Sequence, residues 1–247
     1  MEITQAMVLA AGQGSRLRPL TDHMPKPMLS VGGKPLMEHT ILQLARYNVR
    51  DVGFNLHHCP EVVRDYFGDG SRYGMRFQYS YEEQLLGTAG GVKKLESMFG
   101  DAPFYVIYGD NLTSCDLGSL ARLHNARGGV ATVALFWKED VTPHSAVEMI
   151  DDDEITRFIE KPKAEEAPSH WISAGVMVLE PSALKYVPED TSYDFGFDLF
   201  PRLLAQGERI FGYRMSSAEG LWWIDTPEQY EFMCGLWKNG CPDSSVS

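Results

Sequence analysis

The sequence predicts an α/β fold whose strands form a largely parallel sheet. Two observations carry this. Through the first half of the chain, apolar runs of strand length alternate with segments of helical period, the pattern of successive βαβ units. A glycine-bearing turn also follows the first apolar run directly, and in open α/β sheets the C-terminal strand ends are where ligands bind. At 247 residues, with 44% hydrophobic and 23% charged positions, the chain can bury a core that needs no disulfide or structural metal.

The first strand is read over Ile3 to Leu9. Pro35 then opens a helix with Leu36, Met37, Ile41, Leu44 and Ala45 on one face, followed by a strand at Asp51 to Leu56 and a short helix from Pro60. A third strand falls at Met75 to Ser80, a helix over "TAGGVKKLESMF", and a buried strand over "PFYVIYGDN" that ends in polar residues. From Gly129 the rhythm changes, and "GVATVALFW", "SAVEMI", "EITRFIE" and "ISAGVMVLE" read as strands with little helix between the middle pair. The acidic run Asp151 to Glu154 between two of them reads as a solvated hairpin turn, not a metal cluster. A helix near Phe197 to Gln206, a strand near Ile210 to Met215 and a helix from Pro227 complete the reading, and the tail after Lys238 is expected to be disordered.

Composition excludes several classes of partner. A formal net charge of −12 opposes binding to a nucleic-acid backbone. No apolar run approaches the roughly 20 residues of a membrane helix, and neither a secretory signal nor a transit peptide is visible, so a cytoplasmic location is expected. Cys59, Cys115, Cys234 and Cys241 lack zinc or disulfide spacing and are expected to be reduced thiols. His57 and His58 are adjacent, face opposite ways on an extended chain, and read as structural or surface residues.

The loop "AAGQGSRLRPLTDHMPKPM" carries the main chemical signal. Gly12 and Gly14 let the backbone turn sharply and bring bare N–H groups against an anion that a Cβ would keep away. The third glycine of the dinucleotide fingerprint is replaced by Leu17, and no Walker A pattern is present. Arg16 instead follows the turn, and Lys26 sits between Pro25 and Pro27. A guanidinium fork beside a fixed ammonium suits a polyphosphate. A surface loop with solvated cations is the alternative reading of the same spacing.

The stretch "LAAGQGSRLRPLTDHMPKPML" resembles the signature loop of the sugar-1-phosphate nucleotidyltransferases, and the likeness continues in order through "LLGTAGGVKK", "YVIYGDN", "ITRFIEKP", "SAGVMVLEP" and "WWIDTPEQY". The resemblance implies a Rossmann-like nucleotidyltransferase fold, with a mixed, mostly parallel central sheet flanked by helices. It implies one catalytic domain over 1–238, followed by the tail 239–247. The implied reaction is Mg²⁺-dependent transfer of a nucleoside monophosphate from a nucleoside triphosphate to a sugar 1-phosphate, with release of pyrophosphate. A homo-oligomer is a family-level expectation.

The same resemblance assigns roles residue by residue. Arg16, Lys26 and Lys161 are implied to be catalytic: Arg16 on the departing pyrophosphate, Lys26 on the α-phosphate and Lys161 on the attacking sugar phosphate. Leu9, Ala11, Gly12, Gly14, Ser15, Gln84, Gly87 and Thr88 are implied to bind nucleotide, with Gln84 reading a base edge unless it is a plain surface amide. Gly109, Glu160, Lys161 and Gly175 are implied on the sugar-phosphate side, and Asp110 and Asp225 as metal ligands. The chain departs from the family wording at Asp225-Thr226-Pro227, where the turn is shorter, at Ser173, where Asn is usual, and at Ser145-Ala146, where Tyr-Gly is common. The "LGTAGG" wording leans towards guanylyl transfer to mannose or heptose 1-phosphate, with uridylyl and thymidylyl transfer as the open alternatives. Two alternatives are a catalytically silent sugar-nucleotide sensor and transfer to a non-sugar phosphate such as phosphocholine. The missing third glycine disfavours a nicotinamide dehydrogenase.

Overall fold

A computed structural model describes residues 2–237; the expected disordered tail lies outside them. In chain order the elements are β1 (Gln5–Leu9), β2 (Ser30–Val31), β3 (Lys34–Pro35), α1 (Leu36–Arg46), β4 (Asp51–Leu56), α2 (Pro60–Phe67), β5 (Arg76–Tyr81), α3 (Gly87–Lys93), β6 (Phe104–Tyr108) and β7 (Asn111–Thr113). They continue with α4 (Leu117–Arg127), β8 (Ala131–Trp137), β9 (Ser145–Met149), β10 (Glu154–Glu160), β11 (Trp171–Leu179), α5 (Phe200–Ala205), β12 (Ile210–Arg214), β13 (Leu221–Trp223) and α6 (Pro227–Trp237). The α/β class with a mixed sheet and helices is the one the sequence predicts. The described residues divide into two compact units, each drawn from separated stretches of chain.

The first unit holds residues 4–85, 107–114 and 217–237. Its strand order is β5-β4-β1, all paired in parallel with α1 and α2 as crossovers, and it also holds the last two residues of β6, Ile107 and Tyr108. Strand β1 is buried along Ala6 to Leu9, as a parallel strand covered on both faces should be. A second apolar cluster gathers Leu17, Leu29, Leu36, Leu112, Trp222, Ile224, Met233 and Trp237. It includes residues from the opening loop, from β7 and β13, which pair antiparallel, and from α6.

The second unit holds residues 2–3, 86–106 and 115–216. Its strand order is β11-β8-β12-β10-β9, with β8 and β12 parallel and the other neighbours antiparallel. The register of β11 on β8 shifts between Ser173 and Met177, around Gly175 at φ 69°, so the "SAG" motif forms a bulge that only a glycine adopts readily. Residues 151–153 form the turn between β9 and β10, as read from the acidic run. Asp153 is nonetheless paired, with Arg214 and at 3.6 Å with Arg127.

Helix α4 is absent from the sequence reading, although its signals are local. Asp116 caps it by accepting from the Gly118 and Ser119 N–H groups at 2.9 and 3.0 Å, and Gly128 ends it at φ 67°. The expected helix over "TAGGVKKLESMF" is shorter, with α3 followed by a separate 3₁₀ turn at Glu96–Met98. The helix expected near Phe197 begins with one π-helical turn at Phe195–Leu199 and becomes α-helical at Phe200.

Candidate active site

The opening loop is held from below by polar groups buried in the first unit. The Ala10 N–H donates to Asn55 Oδ1 at 2.9 Å, and Asn55 Nδ2 donates to Glu82 Oε1 at 2.9 Å. His57 Nδ1 contacts the Glu82 carbonyl at 2.8 Å, and His58 Nε2 contacts the Thr21 carbonyl at 2.9 Å, so both histidines serve the scaffold. Thr21 in turn donates its hydroxyl to the Gly14 carbonyl at 2.8 Å. Asn55 and Glu82 were not singled out by the motifs. Their signal is a polar residue inside the otherwise apolar strand "DVGFNL" and a carboxylate directly after β5.

The two loop glycines do different work. Gly14 sits at φ 61°, and a Cβ there would meet Lys26 Cβ at 2.8 Å and Thr21 Cγ2 at 3.1 Å. Gly12 has open space around its missing side chain, with nothing within 4 Å. Gly14 is therefore required by the fold, whereas Gly12 leaves its backbone open to an approaching anion. Ser15 and Arg16 are exposed, while Leu9 and Ala11 are buried beneath them.

Lys26, Asp110 and Asp225 converge. The Lys26 ammonium donates to Asp110 Oδ2 at 2.8 Å and to Asp225 Oδ1 at 2.7 Å. Its side chain is 6% exposed, against 33% and 31% for the carboxylates. Burial works against the charge, but the two carboxylates outweigh it and hold the Lys26 pKa above its ordinary 10.5. Arg16 adds an exposed guanidinium 3.3 Å from Asp225 Oδ1. Such a surface pair is weak, about 0–1 kcal/mol, which leaves the guanidinium free to turn to a phosphate.

Each carboxylate is placed by its own element. Asp110 follows Gly109 at the end of β6, where the Gly109 N–H donates to the Leu9 carbonyl at 2.9 Å. A Cβ at Gly109 would meet Val8 Cγ1 at 2.8 Å and the Leu9 carbonyl at 3.0 Å. Gly109 thus admits β1, which puts its role beneath Asp110. Asp225 is held by a reciprocal cap on α6: Gln229 Oε1 accepts from the Asp225 and Thr226 N–H groups at 2.7 and 3.2 Å, and the Gln229 N–H donates to Thr226 Oγ1 at 3.3 Å. The shortened turn still delivers Asp225 to Lys26.

Asp110 and Asp225 are the residues here that could hold a metal. Among the described residues no group of three or more His, Cys, Asp or Glu side chains could hold one. Two partly exposed carboxylates fit Mg²⁺, which commonly takes one or two protein carboxylates and completes its octahedron with water and substrate phosphate.

In the second unit, Glu160 ends β10 and Lys161 follows it. Ser145 donates its hydroxyl to Glu160 Oε2. Lys161 adopts φ 49° directly before Pro162, a strained position of about 1–2 kcal/mol. Thr88 is hydrogen-bonded inside the unit: its N–H and hydroxyl donate to Asp194 Oδ1 at 3.2 and 2.9 Å, and its oxygen accepts from the Phe195 N–H at 2.9 Å. A Cβ on Gly87 would meet the Tyr193 carbonyl oxygen at 2.7 Å. Gln84, in the first unit, is exposed.

A family model described as nucleotidyl transferase matches residues 5–232. The chain belongs to the nucleotidyl transferase family. The chain is 35% identical over 248 residues to a UTP–glucose-1-phosphate uridylyltransferase of Synechocystis sp., covering 94% of the chain and 63% of that relative. It is 33% identical over 228 residues to a mannose-1-phosphate guanylyltransferase of Mycobacterium tuberculosis, covering 91% and 62%. The chain therefore spans less than two thirds of the length of these relatives. A solved structure of UDP-glucose pyrophosphorylase complexed with UDP-glucose matches with a TM-score of 0.82 at 22% identity, covering 96% of this chain and 99% of that one, a likeness of fold. The resemblance to sugar-1-phosphate nucleotidyltransferases drawn from the six motifs holds. No helix among the described residues is long and apolar enough to cross a membrane.

Proposed function

We propose that this chain transfers a nucleoside monophosphate from a nucleoside triphosphate to a sugar 1-phosphate and releases pyrophosphate. The observation that carries the reading is the convergence of Lys26 with Asp110 and Asp225 in the unit that also presents the Gly12 turn and Arg16. An ammonium has three donors, and two are committed to the carboxylates. The third is available to an α-phosphate oxygen, where positive charge is needed as the bond to pyrophosphate breaks. The exposed Arg16 fork binds the departing pyrophosphate. In the second unit, Glu160 offers a carboxylate to sugar hydroxyls and Lys161 an ammonium to a phosphate.

Both reactants bring their own nucleophile and leaving group, so no covalent enzyme intermediate is needed, and these residues act by positioning and charge neutralisation. Mg²⁺, held by Asp110 and Asp225, would neutralise phosphate oxygens that the side chains leave uncovered.

We infer GTP with mannose or heptose 1-phosphate as the favoured pair, from the "LGTAGG" wording and from the guanylyltransferase relative. UTP with glucose 1-phosphate is a second reading, favoured by the uridylyltransferase relative. A matrix of four nucleoside triphosphates against glucose, mannose and heptose 1-phosphates and phosphocholine, read by pyrophosphate release with Mg²⁺, tests the proposal. Release with one sugar 1-phosphate and a preferred triphosphate is the expected result. Release with phosphocholine alone, or binding without release for every pair, would overturn it.

A further inference from the structure

The turn Asp194–Asp198 in the second unit carries chemistry that no motif assigned. Its π-helical geometry at Phe195–Leu199 is rare, and such turns recur at functional sites. The turn is tied down at its start. Asp194 Oδ1 accepts twice from Thr88, the Phe195 N–H donates to Thr88 Oγ1, and the Asp194 N–H donates to Asp198 Oδ2 at 2.8 Å. Its middle lies against the sugar-side carboxylate. A Cβ on Gly196 would overlap Glu160 Oε2 and come within 3.1 Å of Glu160 Cδ and 3.3 Å of Ser145 Oγ, so only glycine fits between the turn and β10.

The next residue, Phe197, is 59% exposed. The Lys161 ammonium stands 5.9 Å from the centroid of its ring. A rigid turn thus delivers an apolar ring into water beside the carboxylate and ammonium of "IEKP". A sugar phosphate matches this set, because a pyranose has a C–H face as well as hydroxyls and its phosphate is an anion. Burying that face on an aromatic ring removes apolar surface of both partners from water.

We propose that Phe197 is a specificity-determining residue for the acceptor: its ring is a platform for the C–H face of the sugar whose hydroxyls reach Glu160 and whose phosphate reaches Lys161. This rests on the nucleotidyl-transfer reading above. It also gives Asp194 a role, as the positioning residue that fixes the platform through Thr88.

The test compares wild type with Phe197→Ala, Phe197→Leu and Phe197→Tyr. KM is measured separately for the productive triphosphate and the sugar 1-phosphate, and calorimetric titration of the sugar 1-phosphates needs no turnover. Phe197→Ala and Phe197→Leu should raise the sugar 1-phosphate KM and Kd about tenfold, and leave the triphosphate KM within about twofold. Phe197→Tyr, which keeps the ring, should stay within about threefold of wild type. Wild-type turnover with an unchanged acceptor KM in Phe197→Ala would overturn the platform and leave the transfer reading standing. Tenfold weaker acceptor binding in Phe197→Ala, without pyrophosphate release by wild type, would uphold the platform and sink the transfer reading. If wild type binds no sugar 1-phosphate at all, both fail.

Discussion

Lys26 is where a single side chain carries most. Replacing it with Met leaves Asp110 and Asp225 facing each other with no buried cation between them. Lys26→Met should lower turnover by at least 100-fold and lower unfolding stability by about 1–3 kcal/mol, the size of charge-assisted hydrogen bonds lost at a partly exposed site. Turnover and urea melts on the same preparation check both. Because its folded pKa is raised above 10.5, its contribution is full below that value and is lost only as pH rises through the folded value. Activity changes near neutrality therefore belong to other groups. The loop glycines make a paired prediction. Gly12→Ala, with open space around it, should melt like wild type and raise the triphosphate KM about tenfold. Gly14→Ala, strained by its φ and by Lys26 Cβ, should lose about 1–2 kcal/mol as well as activity. Differential scanning calorimetry separates the two.

Among the elements, α6 matters most, because its N-terminal cap holds Asp225. Gln229→Ala removes the acceptor shared by the Asp225 and Thr226 N–H groups and should cost about 0.5–2 kcal/mol. Gln229→Glu keeps the reciprocal bonds and should restore the melting temperature. Elements of this kind were unevenly legible in the sequence. The strands and crossovers of the first half show plainly, because their buried faces impose a period and Pro35 and Pro60 mark helix starts. Helix α4 is faint in the sequence because Leu117, Leu120, Ala121 and His124 make a thin buried stripe, although Asp116 and Gly128 punctuate it. The pairing of β7 with β13 joins segments more than 100 residues apart, and no local pattern encodes it. The site shows the same divide. Each of Lys26, Asp110 and Asp225 sits in a readable motif, but the ammonium as their common partner bridges sequence separations of 84 and 199 residues. Thr88 reads as a nucleotide contact, and its tie to Asp194, 106 residues away, emerges only from the folded chain.

Across the chain as a whole, a charge of −12 coexists with Arg16 and Lys26 in the opening loop, so an anion bound there would gain from local pairing what the net field opposes. Unfolding should also respond to acid through His124. It is buried, with Nδ1 on Thr132 Oγ1 at 2.9 Å and Nε2 on Glu180 Oε1 at 3.2 Å. Burial lowers its pKa below 6.5, and the Glu180 contact only partly offsets this. Above about pH 6.5 both states hold it neutral and its contribution is complete. Below that the unfolded chain takes up the proton first, so stability falls until pH passes the folded pKa. Urea midpoints between pH 5 and 8 should show this acid slope, and His124→Gln should flatten it. Gly109, finally, has a consequence for redesign. Since the backbone beneath Asp110 abuts Val8 and Leu9, the carboxylate shares its coordinates with the interior, not with a pliable surface loop. Libraries that randomise Gly109 should therefore return almost nothing but glycine among folded clones, whatever is varied elsewhere in the chain.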